Sequence, residues 1–149
     1  MALIELISRE TVKIPLVATT KPEVLRELVE FLYESRRVAE VDRVYSALVA
    51  REELGSTGLD GGIAVPHCKS DAVKNLTMAI GISRRGVDFD SLDGKPSQLF
   101  FLLVAPPDQT GPHITALAEI AKITKARSFC TMIVAARDAD EVVKLFRSE

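Results

Sequence analysis

The chain has 149 residues, of which 47% are apolar and 27% are charged, and its formal net charge is −2. This balance predicts one folded domain with a sizeable core and excludes an intrinsically disordered chain. A nearly neutral chain without a nucleic-acid-binding motif is also unlike a general nucleic-acid binder.

Neither a membrane segment nor an export signal stands out in the sequence. The longest uninterrupted apolar run, Leu99–Ala105, is far too short to span a bilayer. The N-terminus has no basic region and is interrupted by Glu5, unlike a signal peptide. The two cysteines, Cys68 and Cys130, provide no disulfide framework. We therefore expect a reduced, cytoplasmic protein without direct membrane insertion.

Two amphipathic helices are predicted in the first third of the chain. Thr20 and Glu23 form a capping-box pattern with a proline between them, so the first helix should open after Thr20. The second helix should stop at Gly55. The apolar residues of both helices recur at helical spacing: Val24, Leu25, Leu28, Phe31 and Leu32 in the first, and Val41, Val44, Tyr45 and Leu48 in the second.

Three strands are predicted in the middle of the chain, at Ile63–Val65, Leu76–Ile82 and Leu99–Ala105. The second strand alternates large apolar residues with small ones, which predicts one buried face. The third is apolar throughout, which predicts a central strand covered on both faces. Between them, Val87–Gly94 is rich in turn residues and predicts a hairpin or a loop.

The last third of the chain predicts further helices. A third helix carries Ile114 and Leu117, Phe129–Ala135 fits either a helix or a strand, and Asp138 caps a final helix that runs to about Phe146. Helices and strands therefore interleave. We predict an α/β fold, with a single domain over residues 1–149 and a mixed β-sheet flanked by helices on both faces.

The most informative motif is the glycine-rich stretch that ends in Pro66-His67, because it fixes one of only two histidines. Glycines cost backbone entropy, and Pro66 gives up a hydrogen-bond donor. A neutral imidazole keeps a nitrogen lone pair that can attack phosphorus. His67 is therefore a candidate phosphoryl acceptor. The alternative is an ordinary surface histidine at a strand end.

The loop before His67 carries candidate phosphate-binding groups. Ser56 and Thr57 supply hydroxyls, and successive backbone amides that include Gly61 and Gly62 can form an anion-binding nest. No Gly-Lys-Ser/Thr sequence closes the loop, so it is not a Walker P-loop. A flexible connection between two elements is the alternative.

Arg51 and His113 are the other two candidates. Arg51 is near the end of the second predicted helix, where its planar guanidinium could reach a phosphoryl group. Its alternatives are a favourable last-turn position or an ion pair with Glu52 and Glu53. His113 is expected in the first turn of the third helix, where the helix dipole favours a bound anion and a neutral imidazole. It could also be a capping or core-edge histidine.

Other kinds of site fit the sequence poorly. Cys68 directly follows His67, and neighbours on an extended chain point to opposite faces, which disfavours a cysteine protease. His67, Cys68 and His113 lack the number and spacing of zinc ligands. The aspartates at 88, 90 and 93 lack the closing glutamate of a calcium loop. No metal and no cofactor are therefore expected.

The stretch from Arg51-Glu through Ser56-Thr57-Gly to Pro66-His67-Cys68 resembles the active-site motif of phosphotransferase-system enzyme IIA domains of the fructose/mannitol class. Within that class, the Asp-Gln-Thr run that precedes His113 resembles the nitrogen-regulatory IIA proteins most closely. The resemblance runs from Arg51 to about Thr124. It implies a mixed β-sheet flanked by helices, in agreement with the elements predicted above.

The resemblance also implies roles for three residues. His67 matches the histidine that accepts a phosphoryl group from a phosphohistidine on a small carrier protein of the HPr or NPr type. His113 matches the second active-site histidine, which orients the first. Arg51 matches the arginine of the Arg-Glu dipeptide, near the phosphate. The implied partners are that donor and either a IIB domain or regulated target proteins.

Two positions depart from the pattern of this family. Asp60 stands where the family usually has a glycine, and a carboxylate there would repel an incoming phosphoryl group unless it points away. Cys68 replaces the more usual glycine after the histidine. Three hypotheses stay open: a nitrogen-branch regulatory carrier, a sugar-specific IIA that passes phosphate to a cysteine of a separate IIB, and a binding module that has lost phosphotransfer.

Overall fold

One mixed sheet of five strands forms the centre of the molecule. The computed structural model describes residues 3–148, so Met1, Ala2 and Glu149, which the predicted domain bounds include, lie outside the described residues. The strands are β1 (Val12–Lys13), β2 (Ile63–Ala64), β3 (His67–Lys69), β4 (Thr77–Val87) and β5 (Ser97–Ala105). Their order is β1-β4-β5-β2, with β3 also paired to β5. Only β4 and β5 pair antiparallel.

Helices cover both faces of this sheet. They are α1 (Lys21–Glu34), α2 (Val41–Glu53), α3 (Thr110–Lys125), α4 (Arg127–Val134) and α5 (Ala139–Ser148), preceded by 3₁₀ turns at Leu3–Leu6 and Arg9–Thr11. Apolar residues of α1 and α2 form one core cluster with alternate residues of the sheet. The other three helices form a second cluster with the remaining residues. The predicted α/β fold with helices on both faces is confirmed.

The strands β2 and β3 act as one interrupted strand along β5. Ile63 lies opposite Leu99 and His67 lies opposite Leu103, so the register does not change across the gap. The break falls at Val65 and Pro66, where the Val65 N–H donates to the Thr57 carbonyl and proline has no N–H to give. This interruption brings His67 to the far end of the strand pair.

Most predicted element boundaries agree with the structure. The Thr20 hydroxyl caps α1 by accepting a hydrogen bond from the Glu23 amide. The Asp138 carboxylate accepts one from the Glu141 amide at the start of α5. The ambiguous stretch Phe129–Ala135 lies mainly in helix α4. Residues 88–96 form the loop that joins the antiparallel strands β4 and β5.

The prediction of one buried face for Leu76–Ile82 is wrong. Both sets of alternating residues in this stretch are buried, because α1 covers the face that carries the small residues. A side chain at Gly81 would lie within 3.0 Å of Leu16 and Leu28. The small residues therefore make room for a helix. Among residues 3–148, no helix is long and apolar enough to cross a membrane.

Candidate functional site

His67 and His113 come together at the end of β3. Their ring centroids are 5.7 Å apart, with an angle of 72° between the ring planes. Both rings line an open cavity of about 460 Å³ that also includes Arg51 and Lys69. The structure therefore brings together three predicted site residues, Arg51, His67 and His113. The first and the last of them are 62 positions apart along the chain.

A backbone carbonyl two residues earlier in the chain sets the orientation of the His67 ring. Its Nδ1 lies 2.8 Å from the carbonyl oxygen of Val65. Since a carbonyl oxygen can only accept a hydrogen bond, this contact requires the proton on Nδ1. The lone pair of the neutral ring is then on Nε2. The interruption of the strand at Val65 and Pro66 thus fixes the tautomer of the His67 ring as well as the position of this residue.

His113 is fixed in the first turn of α3, as predicted. Its amide donates to the Gln109 carbonyl at 3.1 Å, and its side chain is buried, with 6% of the residue exposed. Its Nε2 is buried without a hydrogen-bond partner among residues 3–148. Burial lowers the pKa of His113, and the charges of His67 and Lys69 lower it further. The neutral form is favoured as expected, although burial is its main cause.

Two cationic side chains border the histidine pair. Arg51 donates from Nη1 to the Gly55 carbonyl at 2.9 Å, which holds its guanidinium beside the cavity. The Lys69 ammonium donates to the Thr110 hydroxyl at 3.2 Å, next to the start of α3. Lys69 was missed by the sequence analysis. Strand alternation was the available signal, because residues i and i+2 share a face, which puts Lys69 on the face of His67.

The hydroxyls of Ser56 and Thr57 have partners within the protein. Ser56 donates to the Phe89 carbonyl at 2.6 Å. The amide of Thr57 donates to the Glu52 carboxylate at 3.0 Å, and its hydroxyl donates to the same group. Glu52, with 6% of its side chain exposed, also forms an ion pair with Lys21 at 2.8 Å. The alternative in which Arg51 pairs with Glu52 is therefore wrong, because Glu52 belongs to a network that fixes the loop.

Gly61 and Gly62 lie apart from the histidine pair. They adjoin β2, whose Ile63 is opposite Leu99, whereas His67 is opposite Leu103. Four residues of strand correspond to roughly 13 Å. Gly61 has a φ of +74°, and its amide donates to the Asp93 carboxylate at 3.1 Å. The glycines form a left-handed turn at the opposite end of the strand, and neither lines the histidine cavity.

Asp60 lies in that same turn, away from the cavity of His67. Its carboxylate forms an exposed ion pair with Arg127, the first residue of α4, at 3.1 Å. A side chain at Gly61 would overlap the Arg127 guanidinium, so the turn and the arginine fit closely. The carboxylate that departs from the family pattern is thus held by a cation rather than directed at the histidines.

Cys68 points to the other face of the sheet. It is buried in the cluster formed with α1 and α2, and its Sγ faces the Val44 carbonyl at 4.0 Å. Burial raises the pKa of this thiol to about 12, so it is a thiol rather than a thiolate at neutral pH. In the described part of the chain, no group of three or more His, Cys, Asp and Glu side chains is arranged to hold a metal ion.

Comparison with protein families identifies the chain. The family model described as "Phosphoenolpyruvate-dependent sugar phosphotransferase system, EIIA 2" matches residues 5–149. The chain belongs to this EIIA family. The matched range contains both histidines, Arg51 and Lys69. PTS IIA domains are phosphotransferase components, so the family defines the general kind of reaction.

Relatives of this EIIA domain carry two kinds of name. A nitrogen regulatory protein of Bradyrhizobium diazoefficiens is 32% identical over 95% of this chain and 92% of its own length. The fructose-specific EIIABC component of Bacillus subtilis is 30% identical over 97% of this chain, which spans only 23% of that protein. The crystal structure of nitrogen regulatory protein IIA-Ntr from Neisseria meningitidis superposes with a TM-score of 0.88 and 31% identity, over 96% of this chain and 97% of its own.

Proposed function

We propose that this EIIA domain is a phosphoryl carrier and that the Nε2 of His67 is the acceptor atom. The observation that carries the proposal is the unequal hydrogen bonding of the two imidazoles. The Nδ1 of His67 is engaged by the Val65 carbonyl, which leaves Nε2 with a lone pair beside an open cavity. The Nε2 of His113 is buried close to this ring and has no hydrogen-bond partner in the described part of the chain. Ring nitrogens kept free in this way suit a transient ligand.

The transfer needs no proton movement at His67. The Nε2 lone pair attacks phosphorus in line with the P–N bond of the donor phosphohistidine, and the electron pair of that bond stays on the donor nitrogen. When the donor ring bears a proton on its other nitrogen, it leaves as neutral imidazole. The positive charge passes to the His67 ring, whose Nδ1–H stays on the Val65 carbonyl. The same steps in reverse hand the group on.

The neighbouring groups stabilise the charge of the phosphoryl oxygens. Arg51 and Lys69 supply two cations at the edge of the cavity, and the imidazole of His113 supplies an N–H donor from a buried position. Because the pKa of His113 is lowered by burial, its ring stays neutral and does not oppose the positive charge that develops on His67. Ser56 and Thr57 act indirectly, by holding the loop that follows Arg51.

The proposed donor is a small phosphohistidine carrier of the HPr or NPr type. Apolar side chains line the cavity beside the histidines: Leu54, which is 85% exposed, and the alanines Ala47 and Ala50. Aliphatic side chains around a polar centre are the arrangement expected of a protein-docking surface, since they exclude water from the group that is transferred. The acceptor downstream is either a IIB domain or a regulated protein.

We favour a role in the nitrogen-regulatory branch. The nitrogen regulatory relative and the IIA-Ntr structure match this chain over nearly their whole lengths. The second candidate is a sugar-specific IIA that transfers phosphate to a IIB cysteine, which the fructose-specific relative favours. Incubation of the phosphorylated protein with a fructose-type IIB domain separates the two. The regulatory role predicts no rapid transfer to the IIB cysteine, and the transport role predicts rapid transfer.

The acceptor is tested by incubation with a phosphorylated HPr-type donor and intact-mass measurement under alkaline conditions, which preserve phosphohistidine. We expect a gain of one phosphate in the wild type and in the control variant Cys68→Ala, and no gain in His67→Ala. Phosphorylation of a folded His67→Ala variant would contradict the proposal. Absence of any gain with several competent donors would favour the binding module that has lost phosphotransfer.

A further inference from the structure

A buried carboxylate is connected to the His67 ring through the hairpin that precedes it. Glu52, with 6% of its side chain exposed, accepts hydrogen bonds from both the amide and the hydroxyl of Thr57. The Thr57 carbonyl accepts a hydrogen bond from the Val65 amide at 3.0 Å, and the Val65 carbonyl lies 2.8 Å from Nδ1 of His67. We propose that Glu52 is a positioning residue that holds His67 in the tautomer with its proton on Nδ1.

One residue pair of this hairpin exchanges fewer hydrogen bonds than a regular ladder would. Gly58 and Ala64 form an antiparallel bridge. Thr57 and Val65 are the next pair along it, and in a regular antiparallel ladder such a pair exchanges a hydrogen bond from each amide. Here the Val65 amide donates to the Thr57 carbonyl, but the Thr57 amide donates to the Glu52 carboxylate at 3.0 Å instead. The Val65 carbonyl is therefore left for the imidazole.

The Thr57 amide and the Nδ1–H of His67 are thus competing donors for one carbonyl. Thr57 is 5% exposed, so its amide needs a partner inside the protein, and a buried amide without one costs free energy. If the Glu52 carboxylate were absent, the acceptor that ladder geometry offers to this amide is the Val65 carbonyl. A carbonyl that turns into the ladder loses its alignment with the imidazole, whose proton is then free to move to Nε2.

The tautomer decides which ring nitrogen can act as a nucleophile. A neutral imidazole carries a proton on one nitrogen and a lone pair on the other. If the proton moved to Nε2 of His67, that nitrogen would have no lone pair to give to phosphorus. This consequence for transfer rests on the function proposed above, whereas the tautomer itself is measurable in the unphosphorylated protein.

The test compares Glu52→Met with Glu52→Gln. Both side chains are close to glutamate in size and both remove the negative charge that pairs with Lys21, but only glutamine keeps an oxygen that can accept a hydrogen bond from the Thr57 amide. The tautomer is read from the ¹⁵N chemical shifts of the His67 ring at alkaline pH. We expect the wild type and Glu52→Gln to keep the proton on Nδ1. In Glu52→Met, the ratio of the Nδ1–H to the Nε2–H tautomer should fall about fivefold, as for the loss of one neutral hydrogen bond.

Equal tautomer ratios in the two variants would overturn the proposal, because the acceptor oxygen would then have no effect. Leu32→Ala, which leaves a cavity at a fully buried position near the end of α1, is the control for loss of stability alone and should keep the wild-type ratio. An unchanged ratio in Glu52→Met together with normal phosphorylation of His67 would overturn this inference alone. The expected ratios without any phosphorylation would overturn only the proposed function.

If Glu52→Met does not fold, the wild type decides by scalar coupling across hydrogen bonds. We expect one coupling between the Thr57 amide nitrogen and the Glu52 carboxylate carbon, and another between Nδ1 of His67 and the Val65 carbonyl carbon. Absence of either coupling in the folded wild type would overturn the proposal.

Discussion

The loop of residues 55–62 and the pocket of the two histidines differ in how their polar groups are used. In the loop, the Ser56 and Thr57 hydroxyls and the Gly61 amide all have partners within the protein. In the pocket, the Nδ1 of His67 contacts the Val65 carbonyl, and the Nε2 of His113 has no hydrogen-bond partner among residues 3–148. Both regions are polar, yet only the histidine pocket contains a buried ring nitrogen without a hydrogen-bond partner among the described residues.

This difference separates structural polar groups from functional ones. A buried donor or acceptor without a partner costs free energy, so a fold retains one where a ligand completes it. A satisfied donor would have to break a bond within the protein before it could bind phosphate. This difference is the basis for the proposal that the loop positions the site and that the histidine pocket carries out phosphoryl transfer. Substitutions in the two regions should affect different properties, stability in one and transfer in the other.

The largest expected effect is on the loop network. Glu52→Ala removes the carboxylate that pairs with the Lys21 ammonium and the Thr57 hydroxyl, and breaking a largely buried ion pair costs about 3 kcal/mol of the free energy of unfolding. Chemical denaturation measures this loss. The neighbouring and exposed Glu53→Ala is the matched control, and its effect should stay within about 0.5 kcal/mol. Equal stability of the two variants would show that the network is unimportant.

In the pocket, the largest effect after loss of His67 is expected from His113→Ala. This change removes the buried imidazole that we propose as a hydrogen-bond donor to the transferred group, so the rate of phosphoryl acceptance should fall roughly 100-fold without reaching zero. Rapid-quench measurement with a phosphorylated donor gives the rate. A variant with wild-type rates would separate His113 from the chemistry. Complete loss together with loss of folding would make it structural.

A substitution at Asp60 tests whether a residue of the loop affects the histidine pocket. Its carboxylate pairs with Arg127 on the surface, and such exposed pairs contribute about 0.2–1 kcal/mol. Asp60→Gly should therefore lower stability by less than about 1 kcal/mol and change the rate of phosphoryl acceptance by less than about twofold. A large increase in that rate would mean that the carboxylate acts on the histidine pocket after all.

The smallest expected effect is a pH dependence of stability that arises from His113. Burial lowers its pKa in the folded protein, so the unfolded chain binds more protons below the ordinary histidine pKa of about 6.5. The stabilisation is present above that value and is lost as the pH falls through it. Comparison of wild type with His113→Gln between pH 8 and 5.5 should show a steeper loss in the wild type. Parallel curves would contradict the burial of a neutral ring.

The sequence was sufficient to predict the fold class and to single out the two histidines as candidate site residues, for different physical reasons. Helical and strand periodicities follow from local geometry, so α1, α2 and β5 were predictable within a few residues. Pro66-His67 was conspicuous because its local geometry is costly. The strand β1 has only two residues, which is too short for any periodic pattern.

The parts that were not predictable depend on tertiary packing. Whether Gly61 and Gly62 lie near His67 is decided by the register of β2 and β3 along β5, which no local pattern contains. The pairing of Glu52 with Lys21, which are 31 positions apart, likewise depends on how α1 and α2 pack. The burial of both faces of β4 follows from α1 covering Gly81. Lys69 could have been predicted from strand alternation once His67 was identified as a candidate site residue.

The most direct test of phosphoryl transfer to Nε2 of His67 is the position of the phosphate on the imidazole ring. The protein is labelled with ¹⁵N in its histidines, phosphorylated by an HPr-type donor at alkaline pH, and examined for ¹⁵N–³¹P coupling. We expect phosphorus to be bonded to Nε2 of His67, with the proton kept on Nδ1 by the Val65 carbonyl. Phosphorus on Nδ1 of His67, or on either nitrogen of His113, would contradict it.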